Sequence, residues 1–378
     1  MAPRRRSLAS KPVAAVSPVV QPSKNPLGSL LDPKPGRERR PLGPRECEAR
    51  VIASAGILGL GFSVPNLVRT NDDPVFAAID PRASALRDIF SGTRERRVLA
   101  RDESLTELMA AAARGALEQA GSLPGEVDRL LGYESVSEFI TPNGLYLLHR
   151  LLGLPPHAMV LPLNCDFSNF VLGVAMAAEA IAAGRSTRAL VVCGSNWTRF
   201  VDYRRTHTLV AGDGAGAALV GPSERLSVVD YAVETVSRGF DIWTMKARTS
   251  EGPGGRYLLV GEDGLPIPTY ELSPTAGPEF IQDGITIPVR LSLELLRKHG
   301  VKPADVTLVP HQTKMLMDRW AEAISPGAVL HTFEQFGNMS HASVPVTLAM
   351  RMAEIRTPYV LLIAAGTGSH FAVMLLRT

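Results

Sequence analysis

One plan of strand, polar turn, Ala-rich helix and buried strand occurs twice along this chain of 378 residues. In the first half it reads LPLN, then CDFSNFVLGVAMAAEAIAAG, then ALVVCG; in the second it reads LHTF, then GNMSHASVPVTLAM, then LLIAAG. Strands alternating with helices imply layered α/β architecture with much parallel pairing. An internal duplication makes the two polar turns equivalent places in two related halves. Whatever chemistry the chain carries is expected at such turns, where α/β proteins bind ligands beyond the strand ends.

The rest of the pattern fits this plan. Strands are expected over residues 50–65, 129–136, 158–164, 188–195, 215–221 and 225–234. In the second half they are expected over 306–310, 328–333, 359–368 and 370–377. Helices are expected over 104–121, with Asp102 or Ser104 at its head and Gly121 at its end, over 145–153, and from the first polar turn to Gly184. Further helices are expected over 281–300, interrupted near Pro288, and over 313–324 and 340–355.

Charge separates a leader from the body. Residues 1–45 hold ten Lys or Arg against Asp32 and Glu38, a balance of +8, so the remainder carries −5 of the total +3. The leader is rich in Pro, Ser and Arg, lacks apolar periodicity, and reads as a disordered tail. Lys11, Pro12 and Pro18 break any secretory apolar segment. A mildly acidic body is not a nucleic-acid binder. No apolar run is long enough to span a bilayer. Three cysteines (Cys47, Cys165, Cys193) cannot build a disulfide framework, which points to a reducing, cytoplasmic setting. The division expected is 1–48 for the leader, 49–224 for a first half and 225–378 for a second.

Cys165 opens the first polar turn just before a helix. Unpaired N–H groups and the positive dipole end of a helix lower a thiol pKa and can cradle an oxyanion. A cysteine by itself is more often core filler, and that reading suits Cys193 inside LVVCG. Two distant residues shift the balance for Cys165. VPHQ puts His311 directly after a buried strand, and GNMSHAS puts Asn338 on the turn that opens the matching helix. Nucleotide and metal chemistry lack such support. GDGAG runs into a strand rather than a helix, and the eight histidines contain no H-x-x-x-H pair.

From about Arg50 to Thr378 the chain resembles the condensing enzymes of the thiolase superfamily, in the ketoacyl-acyl-carrier-protein synthase III group. The resemblance lies in SGTRERR (91–97), GDGAGAALV (212–220), VPHQ with His311, GNMSHASVP with Asn338, and the closing AAGTGSHF. It implies a five-layered αβαβα fold of two duplicated halves, a homodimer, no cofactor and no metal. It implies that Cys165 takes an acyl group from a thioester, and that its backbone N–H and the Gly366–Gly368 loop stabilise the oxyanion, about 3 kcal/mol per donor. His311 and Asn338 then hold the enolate of the second substrate while a carbon–carbon bond forms. Acyl transfer to an oxygen or nitrogen acceptor, with His311 as base, is the alternative, as is a non-catalytic partner subunit.

Two departures bear on this picture. The group shows C-x-G-F at the nucleophile, whereas this chain reads C-D-F-S-N-F. Alignment on Phe170 would put Phe167 at the reactive position; a local insertion would leave Cys165 there, and the insertion is the expectation. Leu86 and Phe90 stand near the places where members that use coenzyme A carry Trp and Arg. Acyl carrier protein is therefore expected to deliver the acyl group in preference to coenzyme A, with Arg204, Arg205 and Lys314 facing its acidic surface. The segment 237–279, which holds Trp243 and Arg248, is long enough to suggest an acyl chain larger than acetyl, as in polyketide assembly.

Overall fold

A computed structural model describes residues 54–378 apart from 80–88, 140, 166, 248, 253–254, 259–267 and 274–277. The leader, Leu86, Asp166, Arg248 and the middle of the 237–279 segment lie outside the described residues.

Ten strands form one sheet. The first five are β1 (Ala55–Ser63), β2 (Arg129–Ser135), β3 (Met159–Pro162), β4 (Ala189–Ser195) and β5 (Gly214–Pro222). The second five are β6 (Ser227–Thr235), β7 (Val306–His311), β8 (Ala328–Val329), β9 (Tyr359–Gly366) and β10 (His370–Arg377). Their order is β8-β7-β9-β10-β6-β1-β5-β4-β2-β3. Read from each edge inward, the two sets have one topology. β2 lies parallel between β3 and β4 as β7 lies parallel between β8 and β9. Then β5 and β1 follow antiparallel, as do β10 and β6. A single pair, Gly56 with Ser227, joins β1 to β6.

Alternating side chains divide the core into layers. Val360, Leu362 and Ala364 of β9, with Ala189, Val191 and Cys193 of β4, face α3 (Asn169–Ala182) and α6 (Ser343–Arg351) in one central cluster. Leu361 and Ile363 of β9 face outward with α4 (Pro278–Lys298) and α5 (Lys314–Ile324). Leu190 and Val192 of β4 face α1 (Leu105–Gln119) and α2 (Leu145–Leu152). The stacking is helix, half-sheet, helix, half-sheet, helix, each half-sheet being the five strands of one half. A central helix is apolar on all sides because it meets a sheet on each. It stays slim for the same reason: a Cβ on Gly173 of α3 would stand 2.7 Å from Val191 Cγ1.

Two expected elements differ. The helix α4 runs through Pro288 without stopping. The strand expected over 328–333 keeps only Ala328 and Val329, and Phe333–Phe336 makes a helical turn that drops the chain toward Asn338. Among the described residues, no helix is long and apolar enough to cross a membrane.

Candidate active site

The strand β7 ends on His311, which is 2% exposed and pairs with Ala364 of β9. The next residue ties these strand ends together: Gln312 Nε2 donates to the Ala365 carbonyl at 2.7 Å. β9 then leads into the Gly366–Gly368 turn, where Gly368 takes φ +69°.

Asn338 is fully buried and held by its backbone on three sides. Its N–H donates to Val210 O at 2.6 Å, and its carbonyl accepts from Gly212 N at 3.0 Å and Trp197 Nε1 at 2.8 Å. Glycine is required where these segments touch. A Cβ on Gly212 would lie 2.0 Å from Phe336 O, and Gly337, at φ +68°, would place one 2.5 Å from Val210 O. GDGAGA is thus a strut for Asn338. Its Asp213 carboxyl accepts from Leu99 N at 2.8 Å, from Thr198 N at 3.1 Å and from the Thr198 hydroxyl. Burial pushes that carboxyl up to about 6 against these donors. In the Asn338 side chain, Oδ1 accepts from Ser340 N at 2.8 Å, while Nδ2 is buried with no hydrogen-bond acceptor among the described residues. A buried amide donor in that state suits an oxygen that gains charge.

The first-half turn departs from expectation. Leu163 N donates to Gly132 O at 2.7 Å, Ser168 N donates to Cys165 O at 3.0 Å, and α3 begins at Asn169. The corner of the turn, in left-handed backbone at φ +69°, is Phe167. Its ring is 2% exposed and stacks on His311, with centroids 5.4 Å apart and planes 13° from parallel. Phe167, two residues after Cys165, thus holds the left-handed position just ahead of α3, where the expectation of a local insertion put Cys165. Cys165 is half-buried. Cys193 is fully buried, and its thiol is pushed up first by burial and then by the charge of Cys165, which places Cys165 within electrostatic reach of β4.

Around Phe167 the structure assembles rings that are far apart in sequence. Trp243 lies 6.3 Å and Tyr270 6.4 Å from Phe167, both edge-on, and Trp197 lies 5.3 Å from Tyr270. Through Trp197, which donates to the Asn338 carbonyl, His311 and Asn338 border one aromatic cluster. Phe90 and His207 extend it past Trp243. The sequence reading had not assigned Trp197, His207 or Tyr270 a part here. Trp197 stands just after the end of β4, the signal already used for His311, whereas His207 lies in the helical turn Thr206–Val210 and Tyr270 on a short strand, and neither offers that signal.

The three basic residues expected to meet a carrier are partly engaged. Arg204 grips Asp202 through two bonds of 2.8 Å, and Lys314 reaches both Asp318 oxygens at 2.8 Å. The Lys314 stem also lies over the SGTRERR segment, where a Cβ on Gly92 would be 2.7 Å from its Cδ. Arg205 is exposed. Surface pairs of this kind are worth about 0–1 kcal/mol and leave the cations able to exchange partners.

The family model described as 3-oxoacyl-[acyl-carrier-protein (ACP)] synthase III matches residues 163–237, and its C-terminal counterpart matches residues 296–378. Beta-ketoacyl-[acyl-carrier-protein] synthase III of Desulfitobacterium hafniense is 30% identical over 303 residues, which span 79% of this chain and 88% of the relative. The enzyme of the same name from Symbiobacterium thermophilum is 28% identical over 342 residues, 86% of this chain and 98% of its own. Among solved structures, the priming beta-ketosynthase of the R1128 polyketide pathway superposes with a TM-score of 0.74 at 26% identity, covering 86% of this chain and 96% of that one. The synthase III of Aquifex aeolicus gives 0.73 at 24% identity, covering 86% and 100%, a likeness of fold.

Proposed function

The chain belongs to the 3-oxoacyl-[acyl-carrier-protein] synthase III family, and from that membership we propose how its residues divide the work of a condensing enzyme. It is an acyltransferase of the ketosynthase type. The half that ends before residue 225 would take up the acyl group, and the half that follows would activate the acceptor.

In the proposed reaction Cys165 attacks an acyl thioester and the carrier thiol leaves. Its backbone N–H and the Gly366–Gly368 turn would face the oxyanion. The second thioester then presents its carbonyl oxygen to His311 and to Asn338 Nδ2. Loss of CO2 from an α-carboxylated acceptor thioester would leave its enolate there; the enolate carbon attacks the acyl-cysteine carbonyl, the carbon–sulfur bond breaks, and the Cys165 thiolate departs. The observation that carries this reading is the Asn338 carboxamide, buried with a donor that has no acceptor among the described residues, on the same aromatic cluster as His311. Phe167, two residues after Cys165, stacks on His311, so the phenyl ring borders the same imidazole.

Acyl carrier protein is the proposed donor, supported by the names of the relatives and by the basic residues Arg204, Arg205 and Lys314. A chain longer than acetyl belongs to the same proposal, with the apolar rings Phe90, Phe167 and Trp243 as its neighbours. A homodimer belongs to the same proposal, because β3 is an edge strand of four residues with Met159 exposed.

Phe167 at the corner favours a second reading, in which no acyl-cysteine forms and His311 serves as base for an acceptor that takes the acyl group directly from the carrier. Intact mass spectrometry after incubation with acylated carrier separates the two. An acyl adduct mapped to Cys165 and absent from Cys165→Ala supports the first. Product formed without any adduct supports the second.

A further inference from the structure

The aromatic cluster beside His311 contains two polar atoms that no fold-level need explains. The chain has three tryptophans, at 197, 243 and 320. Trp197 Nε1 donates to Gly212 O at 2.9 Å and to Asn338 O at 2.8 Å, and Trp320 Nε1 donates to Gly284 O at 2.8 Å. Trp243 Nε1, in a residue only 6% exposed, has no acceptor among the described residues. His207 stands next to it, with ring centroids 5.8 Å apart. It is 3% exposed, and its Nε2 is likewise buried without a hydrogen-bond partner among the described residues. Buried polar groups are nearly always paired, so two neighbouring exceptions inside one aromatic cluster call for an explanation, and a polar atom of a ligand supplies one.

The setting of these two atoms says what would complete them. Phe90 lies 6.2 Å from both rings, and Phe167 lies 6.3 Å from Trp243 while it stacks on His311. The pair is therefore linked to His311 through Phe167. Flat apolar walls exclude water and accept a hydrocarbon chain or a planar ring. An indole N–H is a donor only, whereas a neutral imidazole Nε2 donates or accepts according to tautomer. Burial holds the His207 imidazole near neutral by lowering its pKa to about 4. A donor beside a donor-or-acceptor fits an oxygen atom, either a hydroxyl or a carbonyl.

We propose that Trp243 and His207 form a polar subsite within the aromatic wall, which holds a hydroxyl or carbonyl oxygen borne by the thioester substrate remote from its reacting carbon. The inference rests on the condensing-enzyme reading for the identity of the substrate as a thioester. The same oxygen chemistry occurs on an oxygenated acyl chain and on the amides of a pantetheine arm, and the test separates them.

The experiment compares paired acyl thioesters that differ by one remote oxygen, each presented on carrier protein and as a simple S-ethyl thioester. Wild type, Trp243→Phe and His207→Phe are assayed; each variant keeps a ring and loses the polar atom. For an acyl-borne oxygen, wild type favours the oxygenated member in kcat/KM by about tenfold or more, and each variant erases most of that ratio through KM. For a pantetheine-borne oxygen, the ratio is flat in wild type, and both variants lose about tenfold on carrier substrates but not on ethyl thioesters. Calorimetric binding of the matching thioether analogues, which cannot transfer an acyl group, reads the subsite even if no condensation product forms. Variants that bind and turn over every member as wild type does overturn the proposal, and the two variants provide independent checks if one of them folds poorly.

Discussion

The two polar turns that open α3 and α6 are equivalent places in one repeated topology, yet they are filled by opposite chemistry. Each passes through a non-glycine residue in left-handed backbone just ahead of its helix: Phe167 at φ +69° and Ser340 at φ +51°. Each is 2% exposed. Each turn is also locked onto the other half. Phe167 stacks on His311 at the end of β7, whereas His341, next to Ser340, reaches Gly194 O on β4 at 2.8 Å. The backbone frame is thus common to both halves, and the occupant of the corner decides between a ring packed on an imidazole and a polar link. Bulky residues avoid this backbone region, so a phenylalanine persists there only because its surroundings hold it.

Changing the occupants gives the largest expected effects. Phe167→Cys, made together with Cys165→Ala, places a thiol at the corner facing His311. Intact mass should then show an acyl adduct at position 167, where Cys165→Ala alone shows none. In the same assay series, His311→Ala and Asn338→Ala should each lower kcat by about 10²–10³. If the corner thiol stays unloaded while wild type loads Cys165, the equivalence of the two corners does not extend to chemistry.

This comparison also shows what could be read from sequence. The strand and helix succession and the duplicated plan were legible because the continuous apolar runs of β4 and β9 and the Ala-rich α3 report burial directly, whereas the five layers came from the family resemblance. His311 and Asn338 were legible from their place at strand ends. The corner was not, because C-D-F-S-N-F offers two registers, and the register depends on where α3 starts and on whether a ring fits against His311. Periodicity carries neither fact. Trp197 and Tyr270 escaped for a related reason: their partners come from segments far apart in the chain.

A smaller effect tests what holds Phe167 in place. Phe167→Gly removes backbone strain of about 1 kcal/mol but forfeits a buried phenyl ring worth about 3–5 kcal/mol. The variant should lose about 3 kcal/mol in denaturant unfolding. A variant as stable as wild type would mean that the stack on His311 contributes nothing to the turn.

The aromatic cluster next to that stack has a pH signature of about 2 kcal/mol. Burial lowers the His207 pKa to about 4, with Arg205 lowering it and Asp202 raising it to lesser degrees. As pH falls below 6.5 the unfolded chain takes up the proton first. The stability that His207 contributes is therefore full above that pH and declines toward pH 4. Between pH 7 and pH 5 the loss is about 2 kcal/mol. Asp213, raised to about 6 by burial, works the other way, because the folded chain takes its proton first and gains about 1 kcal/mol over the same interval. The His207 loss is the larger, so the two together leave a net loss of about 1 kcal/mol in wild type. His207→Phe should uncover the Asp213 gain, so that unfolding midpoints rise rather than fall from pH 7 to pH 5.

The smallest expected change belongs to the other corner. Ser340→Gly relieves left-handed strain of about 1 kcal/mol. It removes the hydroxyl that sits 3.2 Å from His341 Nδ1, a bond worth about 1 kcal/mol, and it loosens the unfolded chain by about 0.5–1 kcal/mol. These nearly offset, so the unfolding free energy should move by less than about 1 kcal/mol. The bond from Ser340 N to Asn338 Oδ1 is made by the backbone and survives the substitution, so turnover should stay within about threefold of wild type. The contrast with Phe167→Gly is the point of the experiment. If both glycine variants lose the same stability, the two corners are supported alike, and the aromatic stack is not what sets the first half apart. A large loss at one and almost none at the other locates the difference between the halves in a single ring resting on His311.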